Sequence, residues 1–116
     1  MIPVPAHVYV ATAPINLHLS FDRLAGIVRE QFGADPHEEA AFVFHNARRT
    51  HLKILWHDKR GYCVLYKRLD RGTYRIPLAV SDGATHVRVS AKEIALIFEG
   101  IPGDVLRDAR RLLAAT

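Results

Sequence analysis

The sequence lacks features that several common classes of protein need. Its single cysteine, Cys63, excludes a disulfide within the chain and fits a reducing compartment. No apolar run is long enough to span a bilayer, and the first residues lack the basic and apolar segments of an export signal. The chain also has no repeats, no low-complexity segment and no glycine loop of the kind that holds phosphates. We therefore predict a cytoplasmic protein without a membrane contact.

The composition is that of one small folded domain. The chain has 116 residues, 49% of them apolar, which is enough to bury a core. We predict a single domain over residues 1–116, with a helix and a β-meander forming the core over 7–77 and C-terminal helices over 90–114.

Positive charge is concentrated in the centre of the chain. Between His45 and Arg75 there are nine lysines and arginines and two aspartates, a net charge of +7, whereas the rest of the chain carries −3. A concentrated basic segment favours a polyanionic partner such as nucleic acid. The alternative is a basic sheet face that is only solvated.

The N-terminal part predicts a strand followed by an amphipathic helix. His7–Ala11 is typical of a short strand. Ser20 is a candidate N-cap, and Gly33 is placed to end the helix. Between them, apolar residues recur at helical spacing: Phe21, Leu24, Ala25, Val28 and Phe32.

The centre of the sequence predicts a meander of antiparallel strands. We expect strands at 41–44, 51–57, 62–69 and 73–76, and a further strand at 86–89. Asp58–Gly61 and Asp70–Gly72 predict turns, with Gly61 free to adopt a positive φ. The first turn can close in more than one way, so the sequence leaves open whether Lys67 or Arg68 shares the face of Lys53.

The C-terminal part predicts two helices. Ser90 and Glu93 have the spacing of a capping box, and a second helix is expected to begin at Asp104. The fold class predicted is α+β: a small single domain with an antiparallel β-meander of about five strands, one N-terminal helix and two C-terminal helices. The first helix should cover one sheet face, which leaves the other face solvated or used for binding.

No arrangement of residues predicts catalysis or a metal site. The aspartates occupy turns and helix starts, where this residue has a structural role. His51 and His57 share one side of a strand but should lie about 20 Å apart, at ~3.3 Å per residue, which is too far for one metal. Cys63 fits a buried inert thiol. We therefore expect no catalytic residues, no cofactor and no metal, with a metal-dependent nuclease as an alternative to test.

The basic centre predicts a surface for DNA. Arginine and lysine neutralise phosphates, and exposed tyrosines stack on bases. The candidate residues for contacts with nucleic acid are Arg48, Arg49, Lys53, Lys67, Arg68 and Arg75, with Tyr66 and Tyr74 as stacking groups.

The same segment resembles a known family. The run FVFHNARRTHLKILWHD, from Phe42 to Asp58, and its continuation from Gly61 to Pro77 resemble the TnpB-type accessory proteins of bacterial insertion sequences of the sixty-six class. These proteins come from the second reading frame of the element. The resemblance covers most of the chain, from about Tyr9 to Ile101.

This sequence departs from the family pattern at several positions. His45, Ala47 and His51 stand where the family tends to have arginine, which would weaken phosphate contacts. Lys59 replaces a common glycine after Asp58.

The resemblance implies a non-catalytic accessory factor in DNA transposition, encoded beside a separate transposase that carries the catalytic residues. DNA and that transposase are the expected partners, and the chain could also form a homo-oligomer. A second hypothesis is a protein-interaction module without DNA binding, which docks the transposase or a second copy. Its apolar contact residues would lie in the C-terminal helices: Ile97, Phe98, Ile101, Leu106 and Leu113.

Overall fold

The computed structural model describes residues 7–74, 83–90 and 93. This part of the chain forms a five-stranded sheet in the order β4-β3-β2-β1-β5 with one helical segment. The elements in chain order are β1 (His7–Ala11), α1 (Phe21–Ile27) with a π-helical extension (Val28–Phe32), β2 (Ala40–His45), β3 (His51–His57), β4 (Tyr62–Arg68) and β5 (His86–Val89).

The sheet is mixed, because β1 and β2 run parallel. His7 pairs with Ala40, and Val10 pairs with Val43. Parallel neighbours need a connection that crosses over the sheet, and α1 with its π-helical extension lies in that connection. The other three pairings, of β1 with β5, β2 with β3 and β3 with β4, are antiparallel. The predicted fold class, an antiparallel meander with one N-terminal and two C-terminal helices, is therefore wrong.

Few of the described residues test the C-terminal half of that prediction. Thr73 and Tyr74 are not in a strand, although the sequence predicted one at 73–76. In the described ranges, α1 with its extension is the only helical element. Most of the two predicted C-terminal helices falls at 94–116, outside the described residues. The predicted capping box is confirmed: the Ser90 amide donates to Glu93 Oε1, and the Glu93 amide donates to Ser90 Oγ, both at 3.1 Å.

The start and end of α1 follow the sequence prediction. Ser20 has the extended backbone of an N-cap, and its carbonyl accepts the first helical bond from the Leu24 amide at 3.0 Å. Its side chain makes no capping bond. Gly33 ends the helical segment with a left-handed φ of 63°. Of the apolar residues that recur at helical spacing in the sequence, Phe21 is 43% exposed and the others are buried: Leu24, Ala25, Val28 and Phe32.

Both faces of the central strands are buried. All six residues of β2 are buried, as is typical of a parallel strand that is covered on two sides. On the face towards α1, which we name the helix face, Phe42 and Phe44 pack against Phe32. On the second face, a separate apolar cluster forms around Val43 and includes Tyr74. The second face is therefore not solvated, which was one of the two alternatives that the sequence left open. No helix within the described residues is long and apolar enough to cross a membrane.

His45 is a buried polar residue at the end of β2. Its side chain is 2% exposed, with Nε2 3.0 Å from the Ala11 carbonyl oxygen and Nδ1 3.2 Å from the Asn46 carbonyl oxygen. A neutral imidazole has one N–H, so it donates to one of these carbonyls at a time. Burial lowers the pKa of His45 below its usual value, although both carbonyls act in the opposite direction.

Candidate nucleic-acid interface

The pairing of β3 with β4 decides which basic residues share a face. Lys53 pairs with Tyr66, and His51 pairs with Arg68. Directly paired residues point to the same side of a sheet, so Lys53, Tyr66 and Arg68 lie on the helix face. Lys67 pairs with Leu52 and lies on the second face. The choice that the sequence left open is resolved in favour of Arg68 as the neighbour of Lys53.

The turn between β3 and β4 sets this register. The Asp58 amide donates to the Gly61 carbonyl at 3.1 Å, which leaves Lys59 and Arg60 as the two central residues. Lys59 has a φ of 83°, and Arg60 is not in the positive-φ region. A positive φ at the first central position of such a turn favours glycine. The prediction that Gly61 takes the positive φ is wrong, because Lys59 takes it.

Asp58 and Cys63 support this turn and show no sign of activation. The Asp58 carboxylate accepts from the amides of Arg60 and Gly61, both at 3.1 Å, and these bonds lower the pKa of Asp58. The Cys63 thiol donates to the same carboxylate at 3.5 Å. Desolvation and the Asp58 carboxylate raise the pKa of Cys63, so the thiol stays protonated and is a poor nucleophile.

Five exposed basic residues gather at one end of the sheet. The Thr50 carbonyl accepts from the Leu69 amide at 2.9 Å, and the Arg49 carbonyl accepts from the Tyr74 amide at 2.6 Å. These two bonds place the loop after β2 beside the loop after β4. We name the resulting surface the basic end; its residues are Arg48, Arg49, Lys67, Arg68 and Arg71.

The other basic residues of the central segment lie elsewhere. Lys59 and Arg60 are in the turn at the opposite end of the sheet, beside Asp58. Arg75 lies outside the described residues. Lys53 is half-buried, and its Nζ donates to the Leu19 carbonyl at 2.9 Å. Lys53 therefore holds the connector before α1 against β3. Its ammonium is bonded within the protein and is less available to a phosphate than the exposed cations are.

The two candidate stacking tyrosines differ in exposure. Tyr66 is 53% exposed on β4, and the Lys53 ammonium lies over its ring, 5.2 Å from the ring centre. Tyr74 is 0% exposed, and its hydroxyl has no hydrogen-bond partner among the residues that the structure describes. Burial raises the pKa of Tyr74. Only Tyr66 is placed to stack on a base, because Tyr74 would first have to leave the core.

Asn46, which is not among the residues predicted from the sequence, holds the loop that carries Arg48 and Arg49. Its Oδ1 accepts from the amides of Thr50 and His51 at 2.9 and 3.0 Å, and its Nδ2 donates to Thr50 Oγ1 at 2.9 Å. Arg49 has a left-handed φ of 58° in this loop. An asparagine directly after a strand is a usable signal, since its side chain commonly closes turns onto nearby amides.

A second polar cluster, also missed from the sequence, lies at the opposite end of the helix face. The Tyr62 hydroxyl is 3.4 Å from His37 Nε2 and 3.5 Å from an Arg29 guanidinium nitrogen. Asp35 Oδ1 is 3.3 Å from His37 Nδ1, and the His57 ring lies against both His37 and Tyr62. The members come from four parts of the fold, namely the π-helical extension, the loop after it, β3 and β4, so no local pattern marks them. Within the described ranges, no group of three or more potential ligands could hold a metal.

Comparisons with known proteins found one family model and one relative that match most of the chain. A family model described as IS66 Orf2 like protein matches residues 6–108. A relative from Sinorhizobium fredii (strain NBRC 101917 / NGR234), named uncharacterized protein y4hO, is 33% identical over 94 residues, which are 81% of this chain and 79% of that protein. No solved structure is detectably similar to the chain. The family match includes all five strands and the whole basic end.

Proposed function

The chain belongs to the IS66 Orf2-like family, and from this premise we propose that it assists transposition by binding the phosphate backbone of DNA through the basic end. The family implies an accessory role in transposition. DNA binding by this chain is the further step that we propose.

The clustering of five exposed cations, from the loop after β2, the end of β4 and the loop after it, carries the proposal. Arg48 and Arg49 follow β2, and Lys67, Arg68 and Arg71 lie at or after the end of β4, with Asp70 as the acidic residue among them. Cations gathered in this way neutralise neighbouring phosphates and release their counterions, which makes binding favourable at low salt and strongly dependent on salt. Such contacts position a protein on DNA without reading its sequence.

The structure changes the set of residues that we assign to DNA. Arg71 joins Arg48, Arg49, Lys67 and Arg68. Lys53 is given a supporting role, because its ammonium bonds to Leu19 and covers Tyr66. Tyr66 remains a stacking group. Tyr74 is left out because it is buried, and Arg75 stays a prediction from the sequence.

Catalysis is assigned to a separate transposase. The protonated thiol of Cys63 and the turn role of Asp58 support a non-catalytic chain. Docking of the transposase and self-association stay predictions, since their candidate residues lie outside the described part of the chain: Ile97, Phe98, Ile101, Leu106 and Leu113.

The test compares two variants that each remove two exposed positive charges. The basic-end variant carries Arg48→Ala and Arg49→Gly, and the turn variant carries Lys59→Gly and Arg60→Ala. Each pair includes one residue with a positive φ, and glycine suits that backbone in both cases. The variants are therefore matched in charge and in backbone strain, but they lie at opposite ends of the sheet.

Fluorescence anisotropy with a labelled duplex, at several salt concentrations, measures their binding. We expect the basic-end variant to bind about 10-fold more weakly, with a salt slope reduced by about 1.8 for two lost phosphate contacts. The turn variant should bind like the wild type. Equal weakening of both variants would mean that net charge alone drives binding, and failure of the wild type to bind at low salt would exclude the proposal.

A further inference from the structure

A groove on the helix face opens beside the basic end. Its volume is about 370 Å³, and its walls come from the connector between β1 and α1, the loop after β2, and strands β3 and β4. The lining includes apolar Ile15 and Leu17 and polar Asn46, His51 and Tyr66. A space of this volume falls within the ~300–1,000 Å³ typical of sites for small ligands, and this mixture of apolar and polar walls is also typical of them.

Hydrogen bonds in the groove select one tautomer of a neutral His51 ring. The Asn46 oxygen is identified by the two backbone amides that donate to it, so the other amide atom is the nitrogen. That nitrogen donates to Thr50 Oγ1 at 2.9 Å and to His51 Nδ1 at 3.2 Å, and the Thr50 hydroxyl oxygen lies 2.7 Å from the same Nδ1. A neutral His51 ring must therefore carry its proton on Nε2. This N–H has no partner among the described residues, so it can serve a ligand that accepts a hydrogen bond.

Tyr66 provides an aromatic wall that is already held in place. The Lys53 ammonium covers its ring, and the His51 ring meets it at 81° with a centre-to-centre distance of 5.7 Å. The Leu19 carbonyl fixes Lys53 in turn. More than half of Tyr66 nevertheless remains exposed. A held aromatic ring loses little conformational entropy when a flat group stacks on it.

We infer that this groove takes one unpaired nucleobase, so that the protein prefers single-stranded or frayed DNA ends over intact duplex. The inference rests on the proposed DNA binding and adds its substrate class. A base has a flat face for Tyr66 and acceptor atoms for the His51 N–H, and the phosphates on either side would meet the cations of the basic end. In an intact duplex the bases are stacked on each other and present only their edges, so none can enter the groove.

The experiment uses three DNA probes of one sequence: a single strand, a blunt duplex, and a duplex with a short single-stranded overhang that contains a fluorescent adenine analogue. The proteins are the wild type, Tyr66→Leu, Tyr66→Phe and the basic-end variant. Tyr66→Phe keeps the aromatic face, and Tyr66→Leu removes it at an exposed position of β4. Thermal unfolding of each variant checks that it is folded.

We expect the wild type to bind the single strand and the overhang more tightly than the blunt duplex and to change the analogue's fluorescence. Tyr66→Leu should lose about 5- to 150-fold in affinity for the single strand, the range for one stacked base, with its duplex binding and salt slope unchanged. Tyr66→Phe should retain the preference. The basic-end variant should weaken on all three probes.

The two levels of the proposal fail in different ways. If the wild type binds all probes equally and Tyr66→Leu changes nothing, the nucleobase site is excluded while phosphate binding stands. If the wild type binds no probe at low salt, both are excluded. If Tyr66→Leu weakens binding to the single strand and the blunt duplex equally, Tyr66 supports the surface and does not stack on a base.

Discussion

Lys53 and Leu19 join two parts of the chain that are 34 positions apart in the sequence, through a bond of 2.9 Å from the Lys53 ammonium to the Leu19 carbonyl oxygen. The same ammonium lies over the ring of Tyr66. A lysine that looks like a phosphate contact in the sequence therefore holds the connector before α1, β3 and the exposed tyrosine together.

Replacing Lys53 with methionine should destabilise the fold. The substitution keeps an unbranched apolar stem but removes a charged hydrogen bond and a cation–π contact, so we expect the free energy of unfolding to fall by about 1–3 kcal/mol. Urea unfolding measures it. Arg68→Met on the same sheet face is the control and should change stability by less than about 0.5 kcal/mol. A fully stable Lys53→Met protein that loses DNA binding would make Lys53 a phosphate ligand instead.

Replacing Tyr74 with phenylalanine should stabilise the fold. The buried hydroxyl lacks a partner among the described residues, so its removal ends a desolvation penalty, and we expect a gain of about 1 kcal/mol. DNA affinity should not change, because Tyr74 is not on the surface. Tyr66→Phe, at an exposed site, serves as the control with unchanged stability. A clear loss of stability in Tyr74→Phe would show that the hydroxyl is satisfied.

Replacing Lys59 with glycine should also stabilise the fold. Its φ of 83° is strained for any residue with a side chain, and relief of that strain exceeds the backbone entropy that glycine adds to the unfolded chain. We expect a gain of about 0.5–1 kcal/mol in thermal or urea unfolding. Arg60→Gly is the matched control, and it should lose a similar amount because Arg60 needs no positive φ. The reverse order of stabilities would contradict the positive φ of Lys59.

The buried His45 should make stability depend on pH. Burial holds the pKa of His45 below the value of 6.5 that applies to an exposed ring, so the folded chain keeps the ring neutral where the unfolded chain takes up a proton. Its contribution to stability is therefore complete above about pH 6.5 and declines as the pH falls towards the folded-state pKa. The slope from this group is at most about 1.4 kcal/mol per pH unit.

Urea unfolding at a series of pH values, for the wild type and His45→Gln, isolates this contribution from the other histidines. The wild type should lose more stability than His45→Gln as the pH falls below about 6.5. His18→Gln, on the surface, controls for the loss of a histidine as such and should follow the wild type. Parallel curves for the wild type and His45→Gln would rule out the assignment.

Local signals in the sequence predicted the local structure well. Ser20 and Gly33 bound the helical segment, Ser90 and Glu93 form their capping box, and Gly72 takes a positive φ in its turn. In each case the responsible interaction lies within a few residues of the signal. The family resemblance is confirmed by the family match.

Strand pairing could not be predicted from the same kind of signal. The apolar pattern of β1 is the same whether it runs parallel or antiparallel to β2, and only the helix between them indicates a parallel crossover. The uninterrupted apolar run of β2 also favoured a strand covered on both faces. The register of β4 depends on which turn residue adopts a positive φ, and glycine preference pointed to Gly61 when Lys59 takes that role.

The residues of the candidate site could be predicted only in part, because exposure of a charge is readable in the sequence and contacts across strands are not. Exposed cations are recognisable in the sequence, and four of the residues assigned to DNA from sequence lie on the basic end. Contacts between distant segments are not recognisable there. The bond from Lys53 to Leu19, the burial of Tyr74 and the Asn46 network around His51 all depend on how the strands align.

The place of β1 in the sheet has a consequence for folding during synthesis. β2, β3 and β4 are joined by short hairpin loops, so they can pair soon after they leave the ribosome. β1 pairs with β2 on one edge, but its other edge must wait for β5, to which it is also joined by a bond from the Thr12 hydroxyl to the Ala84 carbonyl oxygen, 72 positions apart. Until then one edge of β1 exposes unpaired amides and carbonyls, the type of surface on which nascent chains aggregate. The newly synthesised chain therefore keeps this edge of β1 open until β5 emerges and pairs with it.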